Sequence, residues 1–259
     1  MSKAVVYTGA DPTEFNEHGE PVGEWEGDAD VTDATVAAGV TGIKDRAFLG
    51  CKGLTNLSFL KGSAITTVGE WAFSQSSVTS LQGMEGVMEG GMGAFYCCKD
   101  LRTIEGLGCE EMGVACFYEC ALLQSMKGWP ASMTVIPFGT FQSCTGMTAV
   151  DCDLSHVTSI EVSPAGYHAF AGCTSLLPPS LSKARADPAA VLAFLKRKSK
   201  DERMLARYAI YASIRRARDQ EEEPRTLESP TAFAFALAKL PPDMNRLILE
   251  FKLGVVVQR

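Results

Sequence analysis

The sequence predicts an α/β repeat solenoid followed by a small helical region, and three observations carry that prediction. One phrase returns six times: Ala47-Phe48-Leu49-Gly50-Cys51, Ala72-Phe73-Ser74-Gln75-Ser76, Ala94-Phe95-Tyr96-Cys97-Cys98, Cys116-Phe117-Tyr118-Glu119-Cys120, Thr140-Phe141-Gln142-Ser143-Cys144 and Ala169-Phe170-Ala171-Gly172-Cys173. A small residue precedes each of the six Phe residues, and a Cys follows three positions later in five of them. Each unit also opens on an apolar-x-x-apolar segment: Val31/Ala34, Leu54/Leu57, Val78/Leu81, Leu101/Ile104, Leu123/Met126, Met147/Val150 and a truncated seventh at Leu176, in steps of 23, 24, 23, 22, 24 and 29 residues. Finally, the period stops at Pro178-Pro179 and helical patterning takes over. Self-similarity at this period marks stacked coils, because one coil cannot bury its own apolar face.

The first 30 residues read as an N-terminal cap. Val5-Val6-Tyr7 fits a short strand, and Asp11 to Asp30 fits a polar loop that carries Trp25 over the first coil. From Val31 to Leu177 each opening segment is a strand, and a second short apolar segment follows it. That second segment lies eight and five residues before each Phe, at Val40/Ile43, Ile65/Val68, Val87/Gly90, Cys109/Met112 and Met133/Ile136. Equivalent residues of successive coils should form ladders at the strand spacing of about 4.8 Å. Phe48, Phe73, Phe95, Phe117, Phe141 and Phe170 are the expected central ladder. Gly83, Gly106 and Gly128 are placed where the backbone leaves the strand. In the sixth unit Phe170 lies ten residues past Ile160, so 161–168 is read as an inserted loop, with Tyr167 and His168 as its candidate binding residues.

The run Val40-Thr-Gly-Ile-Lys-Asp-Arg-Ala-Phe-Leu-Gly-Cys-Lys-Gly-Leu-Thr-Asn-Leu57 resembles the BspA-like class of leucine-rich repeat, a class found in bacterial surface antigens and in many protist and algal proteins. The resemblance spans about residues 31–176. It implies a right-handed solenoid with a parallel sheet on its concave side.

Beyond Pro178, residues 178–259 read as a helical domain or a helical cap on the open end of the solenoid. Asp187-Pro188 pairs an N-cap with proline at the first helical position. Ser199-Lys-Asp-Glu202 has the form of a capping box that would open a second helix. Ser229-Pro230 and Asp243 would open two more. Leu240 to Leu253 resembles the opening helix of an F-box, which implies an adaptor in ubiquitin-ligase assembly, but the later helices of an F-box have no room in the remaining residues.

Composition narrows the function. Lys+Arg 24 against Asp+Glu 31 disfavours a general nucleic-acid role. The first residues hold no apolar stretch of signal-peptide length, and Ala232–Ala238 falls far short of the ~20 residues of a membrane span. Nine Cys without an export signal point to reduced thiols and a cytoplasmic location, with Lys196-Arg197-Lys198-Ser199-Lys200 offering a nuclear route. The repeat phase absorbs eight of the nine Cys as small buried residues; Cys97 alone has no repeat role. No metal, cofactor or catalytic constellation is expected. His18, His156 and His168 are scattered, and Glu85–Gly93 lacks the Gly-Lys-Ser/Thr ending of a phosphate loop.

What remains for function is the outward row of the first strands: Asn56, Ser58, Ser80, Gln82, Thr103, Glu105, Ser125, Lys127 and Asp151. That row is polar and nearly neutral, which suits a protein or peptide partner. The reading is a non-enzymatic interaction scaffold, with a turnover adaptor and a surface adhesin as alternatives.

Overall fold

The computed structural model describes residues 2–10, 22–81, 84, 86–104, 109–127, 129–201 and 203. Its strands, in chain order, are β1 (Lys3–Tyr7), β2 (Val31–Val36), β3 (Gly42–Ile43), β4 (Asn56–Phe59), β5 (Thr67–Val68), β6 (Glu89–Gly90), β7 (Glu111–Met112), β8 (Ser125–Lys127), β9 (Val135–Ile136), β10 (Ala149–Asp151) and β11 (Ser159–Ile160). All their pairings are parallel, as stacked coils of one handedness require.

The first segments pair β1 with β2, β2 with β4, and β8 with β10. Ala34 stands opposite Leu57 and Met126 opposite Val150, the register set by the apolar pattern. The second segments form a ladder of their own, β3-β5-β6-β7, and β9 pairs with β11. Here Ile43, Val68, Gly90 and Met112 follow one another in register, as do Ile136 and Ile160. Each coil therefore contributes two narrow strips. Among the described residues the second ladder is the longer, because Val78–Leu81 and Leu101–Ile104 are buried at their apolar positions without forming strands.

A turn built on two left-handed residues joins the second strip to the next coil. The position two before Phe has φ near +60° at Arg46 (57°), Trp71 (56°), Gly93 (59°) and Ala115 (55°), and φ is 71° at Gly139. The position two after Phe is left-handed in every coil: Gly50, Gln75, Cys97, Glu119, Ser143 and Gly172. This gives Cys97 the repeat role that the sequence pattern withheld. It holds the turn residue, not a special thiol. A non-Gly residue there costs about 1 kcal/mol, so the conformation must be held from outside. Three backbone bonds per coil hold it. In the first coil Arg46 N–H donates to Glu70 O (2.9 Å), Phe48 N–H to Ala72 O (2.8 Å) and Gly50 N–H to Ser74 O (2.7 Å); the same triplet recurs in the next three coils, and the fifth keeps the Phe141 and Ser143 bonds. The cysteine returns a bond in the opposite direction. Its S–H donates to the Phe carbonyl one coil back: Cys98 to Phe73 (3.0 Å), Cys120 to Phe95 (3.2 Å), Cys144 to Phe117 (3.0 Å) and Cys173 to Phe141 (3.0 Å).

The six phenylalanines form the expected ladder. Successive ring centroids are 5.2, 5.4, 5.3, 5.7 and 5.3 Å apart, with planes within 23° of parallel. Every ring is buried, and each removes apolar surface worth roughly 1.5–3 kcal/mol from water.

Both ends of this spine are closed by aromatic or polar substitutes. Trp25 packs on Phe48 at 5.4 Å, and Tyr7 touches both rings. Trp25 is more than a lid. Its N–H donates to Ala47 O, Gly27 is left-handed, and Cys51 Sγ donates to Trp25 O, so 23–28 is an incomplete coil with Trp in the Phe position. At the far end Phe170 N–H has no next coil. It donates instead to His168 Nδ1 (3.2 Å), while His168 Nε2 faces Lys183 O (3.0 Å).

Helix α1 (188–201) packs Val191, Leu192 and Leu195 onto the core, with Asp187 accepting from Ala189 and Ala190 N–H as its cap. One expectation fails here. Ser199 does not open a second helix; α1 runs straight through it, and the buried Ser199 hydroxyl donates to Cys152 O. That bond fastens the helix to the solenoid, which local capping chemistry could not reveal. Met1–Ser199 form one compact unit and Lys200–Arg259 a second. The expected helices after Met204, the F-box-like 240–253 segment and the turn glycines Gly83, Gly106 and Gly128 lie outside the described residues.

Candidate interaction surfaces

The expected outward row is partly in view. Asn56 and Ser58 are exposed on β4 and are tied to β2. Asn56 Nδ2 donates to Asp33 Oδ1 (2.8 Å), and the Ser58 and Thr35 hydroxyls lie 3.0 Å apart. Burial stays low around Asp33 and the two bonds from Thr32 and Asn56 hold its carboxyl below the usual range. Asp151 is exposed at the end of β10, whereas Ser80 and Thr103 are half-buried outside regular strands and Ser125 is buried. Gln82, Glu105 and the Lys127 side chain lie outside the described residues.

The inserted loop folds tightly. Val162 bridges His168, Ser163 N–H donates to Tyr167 O, and Gly166 turns the chain with φ 83°. Tyr167 stays exposed at its tip, but His168 does not. It is fully buried with both ring nitrogens engaged, and burial lowers its pKa. As a ligand contact His168 is therefore replaced by a structural role.

The cysteines are spent on the spine. Eight are buried and all nine are free of disulfides. Burial raises the thiols of Cys51, Cys98 and Cys173 to about 12 and that of Cys109 to about 11. Cys97 is the partly exposed one; burial and then its bond to Glu119 Oε2 (3.3 Å) hold it at about 11. No metal-holding group of His, Cys, Asp and Glu occurs among the described residues. The basic cluster belongs to α1. Lys196 reaches Ser155 O, and Arg197 lies over the Phe194 ring at 5.7 Å.

A second surface was not foreseen. The outward residues of the second ladder, Thr67, Glu89 and Glu111, line a groove of about 500 Å³ together with Asp45 and Glu70. Gly69, Gly91 and Gly113 line it as well. A Cβ on Gly91 or Gly113 would sit 2.6 or 2.5 Å from backbone of the preceding coil, so close stacking fixes glycine there. Beside the groove runs a half-buried aromatic strip. Trp71 lies over Gly93, where a Cβ would come within 2.5 Å of the indole, and meets Tyr96 edge-on at 5.4 Å. Tyr96 stacks on Tyr118 at 4.7 Å with planes 2° apart. Burial raises both tyrosine pKa values, with Cys97 beside Tyr96 and Glu119 beside Tyr118 as the next contributors. The sequence signal existed: Tyr follows Phe in two consecutive copies, and aromatic residues in an outward slot stack as surely as those in an inward one.

With the coil geometry in place, comparison with known proteins adds the family. Residues 25–148 match the model of the BspA type leucine rich repeat region in six copies. Residues 25–148 are of the BspA leucine-rich type. The match begins at Trp25, inside the incomplete coil 23–28. The chain resembles the crystal structure of a leucine-rich repeat protein of T. pallidum, with 21% identity, TM-score 0.53, and coverage of 68% of this chain and 79% of that one. It also aligns with a leucine-rich cell surface protein of Faecalibacterium prausnitzii A2-165 (17% identity, TM-score 0.30, 59% and 60% covered) and a leucine-rich repeat protein of Bacteroides ovatus ATCC 8483 (17%, 0.32, 68% and 76%). No curated protein matches the chain. No helix of the described residues is long and apolar enough to cross a membrane.

Proposed function

We propose that the chain is a non-catalytic interaction scaffold that holds a protein or peptide on the outward face of its first strands. The observation that carries this reading is the cross-linked row Asp33/Asn56 and Thr35/Ser58, polar side chains already ordered on a sheet. Groups fixed before binding lose less conformational freedom when a partner arrives, so a preformed row binds more tightly than a mobile one. Eight of the nine thiols, by contrast, are buried, and nine free cysteines suit a reducing, cytoplasmic setting.

The test is affinity capture with the full chain, comparing wild type with a variant carrying Asn56→Ala, Gln82→Ala, Glu105→Ala and Lys127→Ala. The expected result is a partner lost from the variant while its circular dichroism is unchanged. A partner retained by the variant places the binding face elsewhere.

A further inference from the structure

We propose that the groove of the second ladder, together with the aromatic strip beside it, docks an extended arginine-rich peptide. This is a different face from the row proposed above, and it stands or falls separately.

The first strand of reasoning is charge. Glu89 and Glu111 stand opposite each other in register on β6 and β7, and strands lie about 4.8 Å apart. Like charges directly opposite on neighbouring strands repel. Neither carboxylate has an ion pair among the described residues, and Glu70 and Asp45 add charge across the groove. Arg46, next to Asp45 in the chain, is held by Glu26 at 2.7 Å. Two carboxylates one strand apart offer a guanidinium a forked acceptor pair.

The second strand is aromatic and independent of the first. Trp71 follows Glu70 in the chain, and the strip Trp71, Tyr96, Tyr118 continues over three coils from the groove edge to Glu119. Half-exposed aromatic rings beside carboxylates attract a cation, and they attract a planar one best. A guanidinium stacks on a ring and forks carboxylates at once, whereas an ammonium does neither as well. Gly69, Gly91 and Gly113 line the groove over the same three coils, so an extended peptide laid along it meets each coil in turn.

The test uses the full chain and fluorescence anisotropy with a labelled arginine–glycine repeat peptide, a matched lysine–glycine peptide, and calcium chloride as competitor. The arginine peptide should bind about tenfold more tightly than the lysine peptide. The near-isosteric double variant Glu89→Gln/Glu111→Gln should weaken it about tenfold, and Trp71→Leu several-fold, each with an unchanged circular dichroism spectrum. Asn56→Ala/Ser58→Ala should leave peptide binding intact, which separates this face from the first. Equal binding of both peptides with no effect of Trp71→Leu would reduce the face to diffuse attraction and overturn the proposal. So would no effect of the glutamine pair, or displacement of the peptide by calcium at constant ionic strength, which would make the carboxylates a cation site.

Discussion

Thiol reactivity offers a direct test of the spine. The thiolate is the reacting species, so its population sets the rate. At pH 8 a thiol with its pKa at about 11 is about one part in a thousand ionised, against about one part in ten at an ordinary thiol value of 9.0. Cys97, at about 11 and partly exposed, should therefore react roughly a hundredfold more slowly than an unhindered cysteine, and still faster than the rest. Cys51, Cys98 and Cys173 sit at about 12, and Cys109, though at about 11, is only 1% exposed, so the reagent cannot reach it. Titration with a chromogenic disulfide should show nine thiols in denaturant, as the composition requires, and one slow phase in native protein. That phase should vanish in Cys97→Ser. It should quicken in Glu119→Gln, which removes the second contributor to the shift but leaves burial in place. Several fast thiols in the native protein would mean that the Phe-x-x-Cys phase points outward, and the coil register would be wrong.

Two further outcomes test the turns and the end cap. Replacing the exposed, left-handed Gln75 by Gly should stabilise the fold by about 0.5–1 kcal/mol in urea denaturation, whereas Gly50→Ala, at φ 74° with only ordinary contact to Gly27, should cost about 1 kcal/mol. His168 must stay neutral for Nδ1 to accept from Phe170 N–H, and burial lowers its folded pKa. Its contribution is therefore fully present above the ordinary His pKa of about 6.5 and is lost as pH falls below that toward the folded value. Thermal midpoints measured from pH 7 to 5 should show this decline in wild type and a flatter profile in His168→Gln.

Much of the interior was legible because it repeats. The Ala34–Leu57 and Met126–Val150 registers and the Phe ladder follow from spacing alone, since equivalent positions of stacked coils must superpose. What escaped lay where one copy speaks alone. Trp25 belongs to the Phe phase, but Glu24 replaces the small residue before it, so the copy was read as a loop. Ser199 carries the signature of a cap, yet a tertiary bond to Cys152 O claims its hydroxyl inside a continuous helix. His168 looked available because its loop is inserted, and no local pattern shows that Phe170 lacks a coil to donate to. The left-handed turn residues were hidden for a different reason. At φ near +55° to +60° the stack accepts Gln, Cys, Glu and Ser as well as Gly, because inter-coil backbone bonds hold the chain whatever the side chain.

That tolerance locates the freedom to evolve a surface. Inward slots are fixed in size, as Gly90 shows: beside it the thiols of Cys109 and Cys116 fill the space that Val68 and Met112 occupy in their own coils, 3.4 and 3.8 Å from where a Cβ would stand. Outward slots on the strands accept Thr67, Glu89 and Glu111 in turn, and whatever occupies one in consecutive coils is brought to the strand spacing of its neighbours. A run of small polar residues there yields a smooth, hydrogen-bonded face such as Asp33/Asn56. A run of Tyr or Glu yields a stacked strip or an unrelieved pair of charges, which a cationic ligand relieves. In this chain those rows coincide over the coils that carry Trp71, Tyr96 and Tyr118, so a partner that spans three coils meets both chemistries at once.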